Sequence, residues 1–409
     1  MLRSRHGLIF VIFTLGYFLS YFLRSANAVI ARDLAAEFGL NAADLGLMTS
    51  MFFVGFGAIQ LPMGAALDRF GARAVTATLM SVAGIGAAIF ALASSFVVLA
   101  GGRTLIGIGV ACALMGTLQT YARWFPPQRY ATLAGLTTGI GAMGGLLAST
   151  PLAWANAHYG WRMVFLIASA AAFLAAMLIA VFARNAPAGQ TWRSAASDEL
   201  PGGFGSIFGN MRFWRLAPLN FFQAGGMLAV QSLWGGPFVM DVLGLDRIAA
   251  GNLLVWLAAG VVFGYLSCGW LADRFGAQRV QLASALGFAL SQIPLLLANT
   301  QPHIGLIAAA FALFGYTGSF NLLLLTQVRG LFASHLAGRA STACNVFGFL
   351  GTFGLQWGLG LIISRYPQTA GGGYAPEAYG AGFSLLLLGT LVATAWYAPL
   401  ALRGGEVGK

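Results

Sequence analysis

The sequence predicts an all-α integral membrane protein: twelve transmembrane helices in two six-helix halves related by an internal repeat. Three observations carry this expectation. First, 58% of the 409 residues are hydrophobic and only 8% are charged, against roughly 45–50% and about 25% in soluble domains. That composition lacks the charge to solvate a water-soluble body, which excludes soluble enzymes and disordered proteins. Second, apolar runs long enough to cross a bilayer recur along the whole chain. Third, one loop sequence appears twice, half a chain apart.

Crossing about 30 Å of hydrocarbon takes roughly 20 apolar residues. By that measure the first half holds segments at 7–31, 44–67, 74–94, 96–121, 131–155 and 161–183. The second half holds segments at 213–240, 248–272, 279–298, 303–328, 336–364 and 380–402. Residues 184–212 form the longest polar stretch, with Pro187, Gly189, Pro201, Gly202 and Gly203, and read as a linker. The expected organisation is 1–183, a cytoplasmic linker at 184–212, and 213–409. Arg3 and Arg5 before an apolar run, with Ala26-Asn27-Ala28 after it, imitate a signal peptide. Arg24 beside that box, and the further segments behind it, argue for a retained first helix. Pro62, Pro218, Pro237 and Pro294 mark kinks or helix ends. The glycines of the fifth segment, Gly135, Gly139, Gly141, Gly144 and Gly145, allow close helix contact.

The net charge of +11 comes from 21 Arg and Lys409 against eleven acids. The arginines stand in ones and twos between apolar runs, which excludes a nucleic-acid patch and suggests topology. With the N-terminus in the cytoplasm, sixteen of the 22 lie on that side: Arg3, Arg5, Arg69, Arg73, Arg123, Arg129, Arg184, Arg193, Arg212, Arg215, Arg274, Arg279, Arg329, Arg339, Arg403 and Lys409. Arg32, Arg162, Arg247 and Arg365 fall outside, and Arg24 and Arg103 fall within helices. This asymmetry predicts both termini in the cytoplasm of a bacterial-type inner membrane. Cys112, Cys268 and Cys344 lie in apolar runs without metal-ligand spacing and read as small buried residues.

The repeated loop reads Gly64-Ala-Ala-Leu-Asp68-Arg69-Phe70-Gly71-Ala72-Arg73 after the second segment. After the eighth it reads Gly269-Trp-Leu-Ala-Asp273-Arg274-Phe275-Gly276-Ala277-Gln278-Arg279. From Asp68 to Asp273 is 205 residues, half the chain. A second echo pairs residues 123–135 with 329–341. Two like halves in parallel orientation are a transporter architecture. At these residues the chain resembles the major facilitator superfamily, whose G-x-x-x-D-R-x-G-x-R loop joins helices two and three. The second copy departs from that pattern, because its final basic residue is shifted by one. Gly102-Arg103 with Gly107 and Gly109, and Tyr159-Gly160-Trp161-Arg162, add to the resemblance. It spans essentially the whole chain and implies alternating access. It also implies that Gly64, Asp68, Arg69, Gly71, Arg73, Gly269, Asp273, Arg274, Gly276 and Arg279 latch one conformation of the cycle. Physically, a carboxylate and arginines at a helix–loop boundary can bridge to a neighbouring helix end. Gly71 and Gly276 suit a tight turn at positive φ. The bland alternative is a topogenic basic loop with an incidental Asp.

A charge inside the membrane is a functional hypothesis by default. None of the eleven acids falls mid-helix, and Asp33 near the end of the first segment comes nearest. The histidines His6, His158, His303 and His335 also sit at segment ends. This counts against a carrier with its proton on a central carboxylate. Arg24 and Arg103 therefore lack an intramembrane acid, and an unpaired arginine in hydrocarbon costs at least ~2.5–3.5 kcal/mol. An anionic substrate is one partner, because the planar guanidinium fork suits carboxylate or phosphate. The alternatives for Arg24 are snorkelling or pairing with Asp33; for Arg103, bonding to helix ends. Tyr17, Tyr21 and Arg24 share a stripe at i, i+4 and i+7, with Asn27 three residues on.

The run Tyr17 to Asn27 resembles the first helix of the superfamily's organic-anion branches, the organophosphate–phosphate exchangers and the anion–cation symporters. That resemblance implies an arginine facing the central cavity. The exchangers add a second cavity arginine in helix seven, where this chain has Asn220, Gln223, Gln231 and Trp234 instead. A small monoanion therefore fits better than a phosphate dianion. Gln60, Gln119, Asn321, Gln327, Asn345 and Gln356 are further intramembrane polar groups, more often helix glue than ligand contacts.

The combined expectation is a secondary carrier of a small organic anion, lodged in the lipid bilayer. It has no cofactor or metal, no nucleic-acid partner, and a monomeric state expected from the family. Its coupling ion, H+ or Na+, stays open. Drug or metabolite efflux is the alternative, although the fifth segment lacks the antiporter Gly-Pro pair. A membrane enzyme or channel is remote, since no HExxH, CxxC or charged ring occurs.

Overall fold

The computed structural model describes residues 2–187, 204–298 and 303–403. Most of the expected linker, with Arg193, lies outside the described residues, as does Lys409. The first expected segment becomes two helices, α1 (Leu2–Ser25) and α2 (Asn27–Phe38). The break at Ala26 corrects the single helix expected over 7–31. At the break the Ala26 N–H still bonds Phe22 O at 3.0 Å. α3 (Ala42–Ala91) runs through the second and third segments and turns at Gly71, with φ 80°. α4 (Phe96–Val110) and α5 (Cys112–Trp124) divide the fourth segment. At the junction the Ala111 N–H bonds Ile108 O, a tightened turn.

α6 (Pro127–Leu147) and α7 (Thr150–Phe182) cover the fifth and sixth segments differently from the expectation. The first of these breaks at Ala148–Ser149, where Pro151 starts the next helix. α7 then turns at Gly160, with φ 77°. After α8 (Phe204–Phe208), the seventh segment comprises α9 (Met211–Ala229), a π-helical stretch (Val230–Trp234) and α10 (Gly235–Val242). The rest are α11 (Arg247–Phe275), α12 (Ala277–Leu297), α13 (Ile304–Gly318), α14 (Asn321–Gly330), α15 (Ser334–Ile363) and α16 (Pro376–Arg403). Ten described helical stretches are long and apolar enough to cross a membrane. α6, with its apolar run Thr132–Leu147, and the interrupted α9–α10 occupy the remaining two expected positions.

The chain divides into two compact units. The first comprises Met1–Asn27 and Met51–Asp198. Its core includes Ile9, Ile12, Phe13, Trp124 and Ile179. The second comprises Ala28–Ser50 and Glu199–Lys409. Its core includes Phe213, Leu216, Leu324, Val328, Cys344 and Tyr397. The three cysteines are free and buried, Cys112 in the first unit and Cys268 and Cys344 in the second.

Interhelix hydrogen bonds supplement packing in both units, each worth roughly 0.6 kcal/mol on average in a membrane. In the first, the hydroxyls of Thr14, Tyr121 and Thr137 form a closed triangle at 3.0–3.1 Å. In the second, Gln223 Nε2 donates to Ser284 Oγ at 3.0 Å and Thr317 O at 2.8 Å, and its Oε1 accepts from Gln281 Nε2 at 2.6 Å.

Candidate functional site

The first unit holds a continuous ladder of arginines and aromatic rings. On α1, Tyr17 and Tyr21 meet edge to face at 5.5 Å. The Arg24 guanidinium lies 4.9 Å from the Tyr21 ring centroid and 5.1 Å from that of Phe56. Phe56 stacks on Phe52 of α3 at 6.0 Å and 21°. Arg103 of α4 lies 5.2 Å from Phe52 and 5.7 Å from Phe90. An arginine over an aromatic face gains about 0.5–2 kcal/mol, which offsets part of its burial cost.

These faces hold the guanidinium planes without consuming their donors. Arg24 is 8% exposed and its Nε has no hydrogen-bond partner. Arg103 is fully buried, and its Nε and Nη2 likewise have none. Its Nη1 donates to Leu23 O at 3.0 Å, in the last turn of α1. Arg103 therefore bonds a helix end, as the sequence alternative had it, and keeps two further donors free. Pairing of Arg24 with Asp33 is not the arrangement found, since Asp33 takes Arg247. Arg24 is buried between Tyr21 and Phe56. Asn27, fully buried, starts α2 one residue past the break.

α6 fits against this ladder because Gly141 faces Tyr17. A Cβ at Gly141 would stand 2.2 Å from the Tyr17 ring. Gly141 thus seats α6 against the tyrosine that begins the stripe, and Gly144 lets it approach Phe18 O, whereas Gly135 faces open space.

The repeated loop adopts its turn in both copies, with Gly71 at φ 80° and Gly276 at φ 89°. The surroundings differ. In the first copy, Arg73 Nε donates to Ala180 O at 2.8 Å, its Nη2 reaches the same carbonyl, and its backbone N–H donates to Asn185 Oδ1 at 2.8 Å. Ala180 is in the last turn of α7, where a cation suits the negative helix end. Asp68 accepts from Gln119 Nε2 at 3.3 Å, and Arg69 lies over Phe70. Gly64 faces open space. In the second copy, Asp273, Arg274 and Arg279 are exposed. Arg274 lies over Trp270 and Phe275, and Gly269 faces open space. The one-residue shift of Arg279 accompanies this loss of the docked arginine.

In the second unit the helix-seven candidates separate by partner. Gln223 is spent on the network already described. Trp234 donates from Nε1 to Gln356 O at 2.9 Å. Gln231, in the π-helical stretch, is 7% exposed and neither its Nε2 nor its Oε1 has a hydrogen-bond partner. Asn220 donates to Cys344 O at 2.7 Å and leaves its Oδ1 unpartnered. Asn321 opens α14 and Asn345 lies on α15, both half-buried. A buried unpaired amide costs free energy unless something fills its bonds, so Gln231 is the stronger candidate of this set.

The Major Facilitator Superfamily model matches residues 13–355. The chain belongs to the major facilitator superfamily. It is a multi-pass membrane transporter of that family. The membrane sensor protein UhpC of Salmonella typhimurium is 26% identical over 411 residues, covering 94% of this chain and 90% of that protein. The probable sulfoacetate transporter SauU of Cupriavidus necator is 26% identical, covering 71% and 70%. The hexuronate transporter of Escherichia coli is 25% identical, covering 64% of each. Among solved structures, a bacterial homologue of the human lysosomal transporter Spinster, inward-facing and unoccupied, aligns with a TM-score of 0.80 at 20% identity over 97% of both chains. The D-xylose-proton symporter aligns with a TM-score of 0.73 at 19% identity. These two likenesses concern the fold.

Sequence reasoning missed Phe52 and Phe56, which lie four residues apart and so share a helix face. That spacing was a readable signal. It also missed an ion-paired carboxylate, Asp241, whose partners come from far along the chain.

Proposed function

We propose that this family member is a secondary active carrier of a small organic anion, monocarboxylate-like in charge, working by alternating access. The observation that carries the reading is the arginine ladder. Two guanidiniums inside apolar helices are held by ring faces, with Arg24 Nε and Arg103 Nε and Nη2 buried without an acceptor. An unpaired cation in hydrocarbon is costly, and a carboxylate docking on Arg24 would supply the missing charge and acceptors. Tyr17 and Tyr21 shape the pocket wall. Asn27 offers a polar contact, and Arg103 is a second donor behind Arg24; Gln231, Asn321 and Asn345 are the candidate polar groups of the second unit. The names of the sulfoacetate and hexuronate transporters are those of anionic solutes, which agrees with this reading.

In the same reading, both termini are cytoplasmic, the halves at 1–183 and 213–409 rock about the site, and the protein is a monomer in a bacterial-type inner membrane. The docked Arg73 and the exposed loop of the second copy bias the cycle. The test is counterflow in liposomes loaded with sulfoacetate, a hexuronate or an aliphatic monocarboxylate, beside neutral and cationic solutes. Exchange of acids, lost in Arg24→Ala, is the expected result. Exchange of cationic or lipophilic solutes alone would replace the reading with efflux. No exchange of any solute would remove the carrier reading.

A further inference from the structure

Three helices of the second unit meet at a groove outside the candidate anion site. It lies where α11 ends, α12 begins and α13 ends. Its volume is about 500 Å³, within the roughly 300–1,000 Å³ of ligand pockets. Leu271 and Phe275 of α11, Val280 and Ala283 of α12, and Phe320 just past α13 form its apolar wall. The floor is firm, because Leu271, Val280 and Tyr316 pack on the buried cluster of Cys268, Phe320 and Leu323. The rim is open: Phe275, Arg279 and Ala283 are exposed.

Each neutral polar side chain in the wall already has a partner. Ser284 Oγ accepts from Gln223 Nε2 at 3.0 Å and donates to Gln281 O at 3.1 Å. Thr317 Oγ1 donates to Leu313 O at 2.6 Å, and the Tyr316 hydroxyl accepts from Ser267 Oγ at 3.1 Å. A polar solute entering here would give up its water for little return. The mouth is different. Arg279 lines it and has no acceptor among the described residues. The Arg274 guanidinium lies 5.5 Å from the Phe275 ring, which lines the groove, and 5.6 Å from the Trp270 ring. Trp270 is 59% exposed, and an exposed indole near the end of a spanning helix marks the level of lipid headgroups. Asp273 is exposed and pairs with neither arginine. Two cations against one acid leave this turn with a net charge of +1. In the first loop copy Arg73 is docked on Ala180 O; the second copy holds its arginine out at the groove.

We propose that this groove binds one anionic phospholipid of the surrounding bilayer. An acyl chain fills the apolar channel, and the headgroup phosphate bonds Arg279, with Arg274 beside it. The groove has a hydrocarbon body and a cationic end with open donors, and an amphiphile with an anionic head matches both. The guanidinium fork suits phosphate, and a basic pocket between membrane helices at headgroup level attracts anionic lipid. A zwitterionic lipid brings a positive group to the same arginines and binds less tightly. All of the site lies in one unit, so it is independent of the solute carried.

Native mass spectrometry of the delipidated full-length protein, titrated with phosphatidylglycerol or phosphatidylcholine of the same chains, tests this. A basic residue near an anionic headgroup is worth about fivefold in affinity. The parent is expected to bind its first phosphatidylglycerol at least about fivefold more tightly than phosphatidylcholine. Arg279→Gln should lose about fivefold in phosphatidylglycerol affinity and keep its affinity for phosphatidylcholine. Ala283→Trp, at an exposed position, fills the groove without changing charge and should weaken both lipids. Arg73→Gln should bind both as the parent does. Equal affinity of the parent for the two lipids overturns the proposal. So does a phosphatidylglycerol preference unaltered in Arg279→Gln, or phosphatidylglycerol binding undiminished in Ala283→Trp. Displacement of the lipid by glycerol 3-phosphate would also overturn it, because the arginines would then hold free phosphate and the groove no chain.

Discussion

Phe52 and Phe56, one turn apart on α3, stack at 6.0 Å and each carries an arginine within about 5 Å of its ring: Arg103 at 5.2 Å and Arg24 at 5.1 Å. This relationship explains how two cations persist among apolar helices without a carboxylate beside them. The rings stabilise the guanidinium planes electrostatically and leave Arg24 Nε and Arg103 Nε and Nη2 without an acceptor. A site of this kind is preorganised for an anion before the anion arrives.

Replacing Arg24 by Lys keeps the charge and loses the planar fork and the ring contacts. Arginine and lysine are not interchangeable at such a site. Arg24→Lys is expected to weaken binding of an organic acid by about tenfold, or roughly 1.4 kcal/mol, while the protein still folds. Isothermal titration of the purified variant checks this. Equal affinity in the two proteins would mean that only net charge matters.

Removing the ring under Arg24 tests the ladder rather than the charge. Phe56→Leu conserves most of the apolar volume and deletes the π face. The expected outcome is several-fold weaker acid binding, since a cation–π contact is worth about 0.5–2 kcal/mol. An acid affinity equal to the parent's would make the stacking incidental.

Gly141 supplies a purely steric test. A methyl there would stand 2.2 Å from the Tyr17 ring, so Gly141→Ala must push α6 off α1 or turn Tyr17 out of its place. Overpacking of this sort costs roughly 1–3 kcal/mol. A lowered melting temperature in detergent is expected, together with weaker acid binding. An unchanged melting temperature would show that α6 shifts freely.

The docked arginine of the first loop separates rate from affinity. Arg73→Gln removes the donors to Ala180 O, outside the ladder. Counterflow should slow, with substrate affinity unchanged. Arg279→Gln, in the copy whose arginine is exposed, should leave the rate closer to the parent's. If both variants behave alike, the asymmetry between the copies has no consequence.

Much of this was readable in the residues. Hydrophobic run length located the spans, because nothing except a bilayer tolerates that composition. The positive φ at Gly71 and Gly276 followed from the turn each loop requires. Arg24 with Tyr17 and Tyr21 followed from helical spacing. What escaped has a common cause: it depends on which distant segments meet. The break at Ala26 and the π-helical stretch at Val230–Trp234 have no strong local signal. Gln223 looked like a pocket residue, yet Ser284, Thr317 and Gln281 consume its amide. Arg32 and Asp241 lie 209 residues apart, and each alone resembled an ordinary loop-edge charge.

The most direct measurement of the central claim is a thermal-shift panel on the purified protein and on Arg24→Ala, with small monocarboxylates beside neutral and cationic solutes. A ligand at 100 times its Kd stabilises the folded state by about 2.7 kcal/mol. Stabilisation of the parent by acids, absent in Arg24→Ala, is the predicted result. Stabilisation by cationic or neutral solutes with acids inert, or equal stabilisation of both proteins by acids, would contradict it.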